Sequence, residues 1–387
     1  MDFYNRALEL KDETIQNRRN IHKNAEVGLD TPKTKAFVIE KLKEYGLEPE
    51  ECGYGVTALL GKKEGKVLLL RADMDALPMA EQSGEEFACP SGKEAHTCGH
   101  DFHAAMLLTA AKMLKENEDL IDGTIKFMFQ PAEEKLNGSQ SVIDSGLFEK
   151  YQPDFAVGLH CWPDLPAGTV GVRSGSFMAS SDSVSLTVKG RGGHGAHPHK
   201  SVDPITAAAY ILAELQTVVS RSVAPLEAAV LTMGSIEGGT AANVIPDTVT
   251  MEGTVRTVSR ETRALMEEKI RQIACHGAEA LGASCEVEYK RGVPAVICDP
   301  AVVERIRKAA AEELGSENVV TLETPSMGSE DFARYLELVP GAMFRIGTAS
   351  EDPATRLPLH NGGIRFDERA VLAGAVTFGR LAAEYLR

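Results

Sequence analysis

The chain has 387 residues, 43% hydrophobic and 25% charged, with a formal charge of −15. That length predicts two domains rather than one core, and the acidic balance excludes nucleic acid and anionic membranes, both of which select basic surfaces. Seven cysteines, odd in number, irregular in spacing and without a CxxC pair, exclude a disulfide scaffold or a cysteine-rich structural zinc site and predict reduced thiols. The opening Met1-Asp2-Phe3-Tyr4 lacks the apolar core of a signal peptide, and no apolar run reaches membrane-spanning length, so the expected location is cytoplasmic.

In chain order, residues 4–23 and 31–46 read as helices, the second opened by Thr31-Pro32 and stopped by Gly46. Val56–Leu60 and Lys66–Leu70 read as strands; the second is continuously apolar, as for a strand buried on both faces, and ends in Arg71-Ala72-Asp73-Met74-Asp75. Next comes Ala95-His96-Thr97-Cys98-Gly99-His100-Asp101-Phe102-His103, leading into an apolar helix over about 101–116. Cysteine and histidine at a helix mouth suit a metal-ligand loop; the plainer alternative is a solvated histidine-rich turn beside a free thiol. Thr124–Gln130 is a strand running into Pro131-Ala132-Glu133-Glu134, a short helix follows near 139–145, and Phe155–Leu159 is a strand ending in His160. Strands alternating with helices predict an α/β unit with a mixed, largely parallel sheet flanked by helices. Three of its strands run straight into potential ligands, and sites in such sheets form beyond the carboxyl ends of strands.

Near residue 181 the pattern changes. Ser183–Lys189 alternates as a half-buried strand, a Gly/His-rich turn spans 190–199, and residues 203–219 form a helix opened by Asp203-Pro204. Strands near 228–236 and 247–257, a helix over about 260–281 and a strand at 284–290 complete a β-α-β-β-α-β order, the ferredoxin-like arrangement. The first domain then resumes with a helix at 300–314, a helix opening around 325–332, a strand at 342–347 and a last helix over about 367–386. The expected domains are residues 1–181 and 295–387 together, with 182–294 inserted between them.

Cys98, His100, Glu134, His160 and His360 are the candidate ligands. Five groups exceed the three of an open single-zinc site, and five with one bridging suit two ions able to clamp both oxygens of a hydrolytic step. Cys161 follows a candidate ligand along a strand, so its side chain points the other way. His197 and His199 read as turn residues, and His22 and His276 as plain helix positions. Gly53-Tyr54-Gly55 precedes a strand pattern rather than a helix, which argues against a dinucleotide fold.

The motifs RADMDALP, CGHD, QPAEE, GLH, GRGGHGAHP, GGTAANVIPD, GTVRT, SED and LH occur in that order. Together they resemble the metal-dependent amidohydrolases of the aminoacylase and carboxypeptidase G type, nearest the branch of indoleacetyl–amino-acid hydrolases and bacterial N-acyl-amino-acid amidohydrolases such as hippurate hydrolase. The resemblance covers nearly the whole chain. It implies a dinuclear metallopeptidase-like catalytic domain with an inserted lid and dimerisation domain, two divalent ions per subunit (zinc, manganese, cobalt or nickel) and a homodimer. It makes Cys98 the bridging thiolate, with His100, Glu134, His160 and His360 completing the shells, Glu133 the general base and Asp75 a residue that orients a ligand. Asp73 stands where other branches carry a ligand histidine. His194 fits the histidine that polarises the scissile carbonyl, and Asn243 and Arg256 fit the anchors of the substrate carboxylate. His96 and His103 are read as flanking groups rather than ligands.

The implied activity is hydrolysis of N-acyl-L-amino acids by metal-activated water, with Glu133 carrying the proton. A dipeptidase or carboxypeptidase and an N-acetyl-diaminopimelate deacetylase are alternatives on the same site. A non-catalytic metal-binding protein is the reading from another class, and the spare carboxylate of Glu133 argues against it.

Overall fold

The computed structural model describes residues 2–62 and 64–386. The chain divides into two compact units: one holds the chain up to Gly175, Ile297–Thr324 and the chain from Asp331, and the other holds Ser176–Val296 and Pro325–Glu330.

The first unit is built on an eight-stranded mixed sheet in the order Pro49–Cys52, Gly55–Gly61, Gly123–Gln130, Lys66–Asp73, Phe155–Pro166, Gly341–Ala349, Val170–Val172, Val319–Thr321. The four central strands are mutually parallel. Gly123–Gln130 and Gly341–Ala349 are buried along their whole length, as strands covered on both faces are, and their few polar side chains, Lys126, Gln130 and Arg345 among them, are buried with them. Helices His100–Lys115 and Val371–Tyr385 pack on one another. Almost every residue of the first is buried, so it is apolar on all faces rather than along one stripe.

Register decides where the chemistry falls. Asp73 pairs with Gln130, and Arg71 with Gly158. The strand Phe155–Pro166 therefore outruns its Lys66–Asp73 neighbour. Beyond Gly158 it is paired, among the described residues, with Gly341–Ala349 alone, where His160 lies opposite Arg345.

The second unit is a four-stranded antiparallel sheet ordered Ala229–Gly238, Thr248–Thr257, Ser181–Lys189, Ser284–Val293. Helices Pro204–Thr217 and Arg260–Ala280 supply the two crossovers. Val184, Leu186 and Val188 form its core with Ile211, Leu215, Met266 and Ile270, while the alternating Ser183 is exposed and Ser185 and Thr187 are half-buried. Asp203 and Ser259 cap the two helices by accepting main-chain N–H groups of their first turns.

Several boundaries differ from expectation. The first predicted helix is two, Phe3–Glu9 and Lys11–Lys23, separated at Leu10, whose φ of −87° and ψ of 0° leave the ideal helical well. His160 does not end its strand, which continues to Pro166 because Gly341–Ala349 extends alongside. The segment after Pro325 opens only a 3₁₀ turn, Asp331–Glu337, and the last helix starts at Val371. The short strands Pro49–Cys52, Val170–Val172 and Val319–Thr321 are too brief to show a periodicity.

Candidate metal centre

Cys98 lies on the turn that enters helix His100–Lys115. Gly99 makes this turn with φ of 85°, and a Cβ there would stand 2.8 Å from the Cβ of Cys161. Only glycine combines that left-handed conformation with so close an approach. Cys98 and His100 thereby converge on the end of the sheet.

Three sets of potential ligand atoms form there, each within 4.8 Å: Cys98, His100 and His160; Cys98, Glu134 and His360; and His100, Glu133 and Glu134. The first two meet at Cys98. Cys98 Sγ lies 3.5 Å from His160 Nε2. His100 Nε2 lies 3.8 Å from Glu134 Oε1 and 4.0 Å from Glu133 Oε2, and His360 Nε2 lies 3.3 Å from Glu134 Oε1. His360 has a φ of 64°, strained for a residue with a Cβ, and its N–H donates to the Thr97 carbonyl at 3.1 Å, tying its loop to the Cys98 loop. His160 Nδ1 donates to the Cys161 carbonyl at 2.7 Å. That bond leaves Nε2 bare and directed at the thiol.

Among the described residues, neither ring nitrogen of His100 nor Oε1 of Glu134 makes a hydrogen bond, although all three atoms are buried. Buried polar atoms gathered without well-formed bonds to one another fit the ligands of a shared cation. The electrostatics call for a cation. Burial pushes the Cys98 thiol well above its usual range, and Glu134 and Glu133 push it further. Burial opposes a charge on His100, yet Asp73, Asp75 and Glu134 outweigh it and hold the imidazolium up at about 10. Burial holds His160 down at about 3, helped by His103 and His100. Soft sulfur, imidazole nitrogen and carboxylate oxygen in one cluster fit a divalent transition metal.

Asp75 sits behind this cluster. Its Oδ1 accepts the Glu133 N–H at 2.9 Å and its Oδ2 the Glu134 N–H at 3.2 Å. It also lies 3.5 Å from His100 Nδ1. Asp73, by contrast, has both oxygens committed. Oδ1 accepts from His103 Nδ1 at 2.5 Å and Oδ2 from Arg71 Nη1 at 2.7 Å. Burial raises its pKa, but His100 and Arg71 dominate and hold it well below the usual carboxylate range. Asp73, His100 and His103 also lie close enough together to be a ligand set, but Asp73 and His103 are already spent on each other.

Arg71 is the residue that sequence reasoning missed most completely. It is fully buried, with Nη2 3.0 Å from Asp331 Oδ1 and Nε 3.1 Å from Gln130 Oε1. Asp331 also accepts from Gln130 Nε2 and the Ser139 N–H, both at 2.8 Å, and its own N–H reaches Glu133 Oε1 at 3.4 Å. His22, read as a plain helix position, is buried instead. Its Nδ1 lies 2.8 Å from Asp101 Oδ2 and its Nε2 3.0 Å from Glu81 Oε1, while Arg18 Nε donates to the same Asp101 oxygen at 2.7 Å. An arginine and a histidine four residues apart on one helix were the available signal. His96 is buried beside His22, their ring centroids 5.8 Å apart. His103 and Cys161 are buried as well.

His194, Asn243 and Arg256 belong to the second unit. The short ladder of Gly193–His194 with Val244–Ile245 sets His194 opposite Val244, and the Asn243 carbonyl accepts the Gly195 N–H at 2.9 Å. Arg256 lies on the separate strand Thr248–Thr257 and makes no ion pair among the described residues; Nη1 donates only to the Val255 carbonyl. His197 and His199 are exposed.

An α/β sheet with a buried Cys/His/Glu cluster at the carboxyl ends of its strands is the architecture of a metallohydrolase. Residues 69–384 match peptidase family M20/M25/M40, and the chain belongs to that family. It is an enzyme, a hydrolase of amide or peptide bonds. The N-acetyl-L-cysteine deacetylase of Bacillus subtilis is 39% identical over 94% of this chain and 86% of its own. The hippurate hydrolase of Campylobacter jejuni is 37% identical over the full length of both. A solved dinuclear metal-binding peptidase of the M20 family from Bacillus subtilis superposes with a TM-score of 0.86 at 33% identity, covering 98% of this chain and 99% of its own.

Proposed function

We propose that the protein hydrolyses the amide bond of N-acyl-L-amino acids, releasing a carboxylate and a free amino acid, with two divalent ions in the buried cluster. The observation that carries this reading is the thiol shared by two ligand sets, Cys98–His100–His160 and Cys98–Glu134–His360, beside the adjacent carboxylate of Glu133, which lies within ligand distance of His100 and Glu134 but shares no set with the thiol. Similarity to a deacetylase and a hippurate hydrolase along nearly the whole chain supports the substrate class.

Cys98 would be shared by the two ions, with His100 and His160 holding one and Glu134 and His360 the other. Bound there, the ions supply Lewis acidity for the scissile carbonyl and lower the pKa of the attacking water. The remaining work falls to the chain. Glu133 accepts the proton of the attacking water and returns it to the departing nitrogen, while Asp75 fixes its main chain. His194 Nδ1 accepts the Ala196 N–H at 3.1 Å, so the neutral ring carries its proton on Nε2, the donor that a developing oxyanion needs. Asn243 and Arg256 take the substrate carboxylate.

The protein acts as a cytoplasmic homodimer through the second unit. Strand Ala229–Gly238 lies at the edge of its sheet, and Val230 and Ile236 on it are exposed, as are Ile205 and Tyr210 on helix Pro204–Thr217. An edge and an apolar helix face of this kind pair readily across a twofold.

The test is a release assay on metal-free protein reloaded with zinc, manganese, cobalt or nickel, across N-acetyl, N-benzoyl and dipeptide substrates. Metal-dependent cleavage of N-acyl amino acids in preference to dipeptides is expected. Preference for dipeptides would make the protein a dipeptidase, and activity without metal would end the reading.

A further inference from the structure

The two proposed ion positions are not supported alike. Behind the one served by His160 stands a chain of buried hydrogen bonds; among the described residues none of that kind stands behind His360, whose side chain is 52% exposed. Arg71 Nη1 donates to Asp73 Oδ2 at 2.7 Å, and His103 Nδ1 contacts Asp73 Oδ1 at 2.5 Å. An ionised Asp73 only accepts, so the His103 proton sits on Nδ1 and Nε2 is an acceptor. That acceptor is filled: the Cys161 N–H donates to His103 Nε2 at 2.8 Å.

The Cys161 amide is available for this bond because of the sheet register. Lys66–Asp73 stops pairing with Phe155–Pro166 at Gly158, so the next stretch faces helix His100–Lys115 on that side. His103, one turn into the helix, takes the place of the missing strand. The same Cys161 residue receives the His160 ring, through its carbonyl at 2.7 Å. The path runs Arg71, Asp73, His103, the Cys161 main chain, then the His160 imidazole. All five side chains are buried.

Resting on the dinuclear reading above, we propose that His103 is a positioning residue for one ion only. By holding the Cys161 main chain it fixes the tautomer and direction of His160, and so sets the affinity of the position that His160 completes, leaving the Glu134–His360 position untouched. Asp73 is thereby a positioning residue too, acting through His103, and Arg71 holds Asp73 in the ionised state that the arrangement requires.

Two variants separate the two ends of the imidazole. In His103→Gln the terminal amide oxygen reaches the place of Nε2 and can still accept the Cys161 N–H. In His103→Asn the amide nitrogen reaches the place of Nδ1 and keeps only the Asp73 contact. Metal-free protein is titrated with cobalt(II), following visible absorbance and bound metal per chain. Wild type should take up two ions. In His103→Asn one phase should move to about 10- to 100-fold higher cobalt, the size of effect usual for groups behind a ligand, while the other stays. His103→Gln should remain within about threefold of wild type for both phases, since it keeps the bond that matters. His160→Ala should weaken the same phase as His103→Asn and His360→Ala the other. If His103→Asn does not fold, Asp73→Asn at nearly constant volume is read the same way and should also weaken the His160 phase alone.

Equal weakening of both ions, or no weakening in His103→Asn or Asp73→Asn, overturns the positioning role while leaving the dinuclear reading intact. Wild-type protein that binds fewer than two cobalt ions overturns the dinuclear reading itself, and this proposal with it.

Discussion

Asp75 and Glu133, 58 residues apart, are joined through the main chain: Asp75 Oδ1 accepts the Glu133 N–H at 2.9 Å. The other oxygen holds the next amide, that of Glu134. One carboxylate thus grips a turn that Ala132 enters with a φ of 56°, and the grip offsets the cost of that conformation. Two adjacent carboxylates, Glu133 and Glu134, leave this turn toward different neighbours. Glu134 faces His360, and Glu133 receives the Asp331 N–H. Neighbours in sequence can therefore do different work.

Glu133→Gln tests that division. It changes a proton acceptor into a group that cannot take a proton, at constant shape. Bound metal per chain should stay at the wild-type value while kcat falls about 10²- to 10⁴-fold. Loss of metal with a modest loss of rate would mean that Glu133 and Glu134 have each other's role.

Metal uptake should release protons. The Cys98 thiol lies well above its usual range and His100 at about 10, so both are protonated in metal-free protein at pH 7. Both must lose their protons to act as ligands. Apparent affinity should therefore rise with pH across the neutral and alkaline range. Calorimetry in buffers of different ionisation enthalpy counts the protons, and Cys98→Ala should release fewer than wild type. Cys98→Asp keeps a bridging group and should retain more metal and more activity than Cys98→Ala. Uptake independent of pH would remove these two groups from the ligand set.

How much of this was legible follows from where each signal lies. Lys66–Leu70, Thr124–Gln130 and Phe155–Leu159 stood out as apolar runs leading to Asp73 and Asp75, to Glu133 and Glu134, and to His160, so a site at that end of the sheet could be expected from the chain, whereas Cys98, His100 and His360 lie outside those strands and were singled out by residue type and by the resemblance. The alternation of Ser183–Lys189 likewise gave away its sheet. The supports behind the site could not be read. Arg71 inside an apolar strand is two positions from Asp73, but its other partner, Asp331, is 260 residues away. His103 matters because one strand stops pairing at Gly158 while its neighbour continues, and register is not written in composition. His22 looked bland because helical periodicity shows which face is buried and not which charged group waits beneath it.

That hidden network predicts a large stability effect. Asp101 is fully buried between Arg18 and His22. Burial raises its pKa, but Arg18 and His22 dominate and hold it below the ordinary 3.8. A depressed carboxyl contributes stability that is complete above the unfolded-state value near pH 4 and is lost as pH falls through the lower folded value. Arg18→Met leaves the carboxylate with His22 alone and should cost about 3–5 kcal/mol at neutral pH. Urea unfolding measures it. Because the variant forfeits this carboxylate's advantage, its stability gap from wild type should shrink as pH falls below about 4. A gap that does not change there would show that Asp101 is not the group Arg18 serves.

The proposed dimer makes the last prediction, that His194 serves the active site of the other subunit. His194 is exposed on the short ladder with Val244. The exposed edge Ala229–Gly238 in the same unit offers unpaired backbone groups for a partner strand. The test is complementation between His194→Ala and Glu133→Gln subunits, each nearly inactive alone. If His194 acts across the interface, a mixed dimer contains one site with both lesions and one with neither. Random exchange of equal amounts makes about half the dimers mixed, so about a quarter of all sites should recover full turnover. The exchange itself is followed by mass, with one subunit isotopically labelled, so that silence has meaning. Recovery near a quarter places His194 in trans. No recovery after complete exchange places it in its own subunit's site, or outside the chemistry altogether.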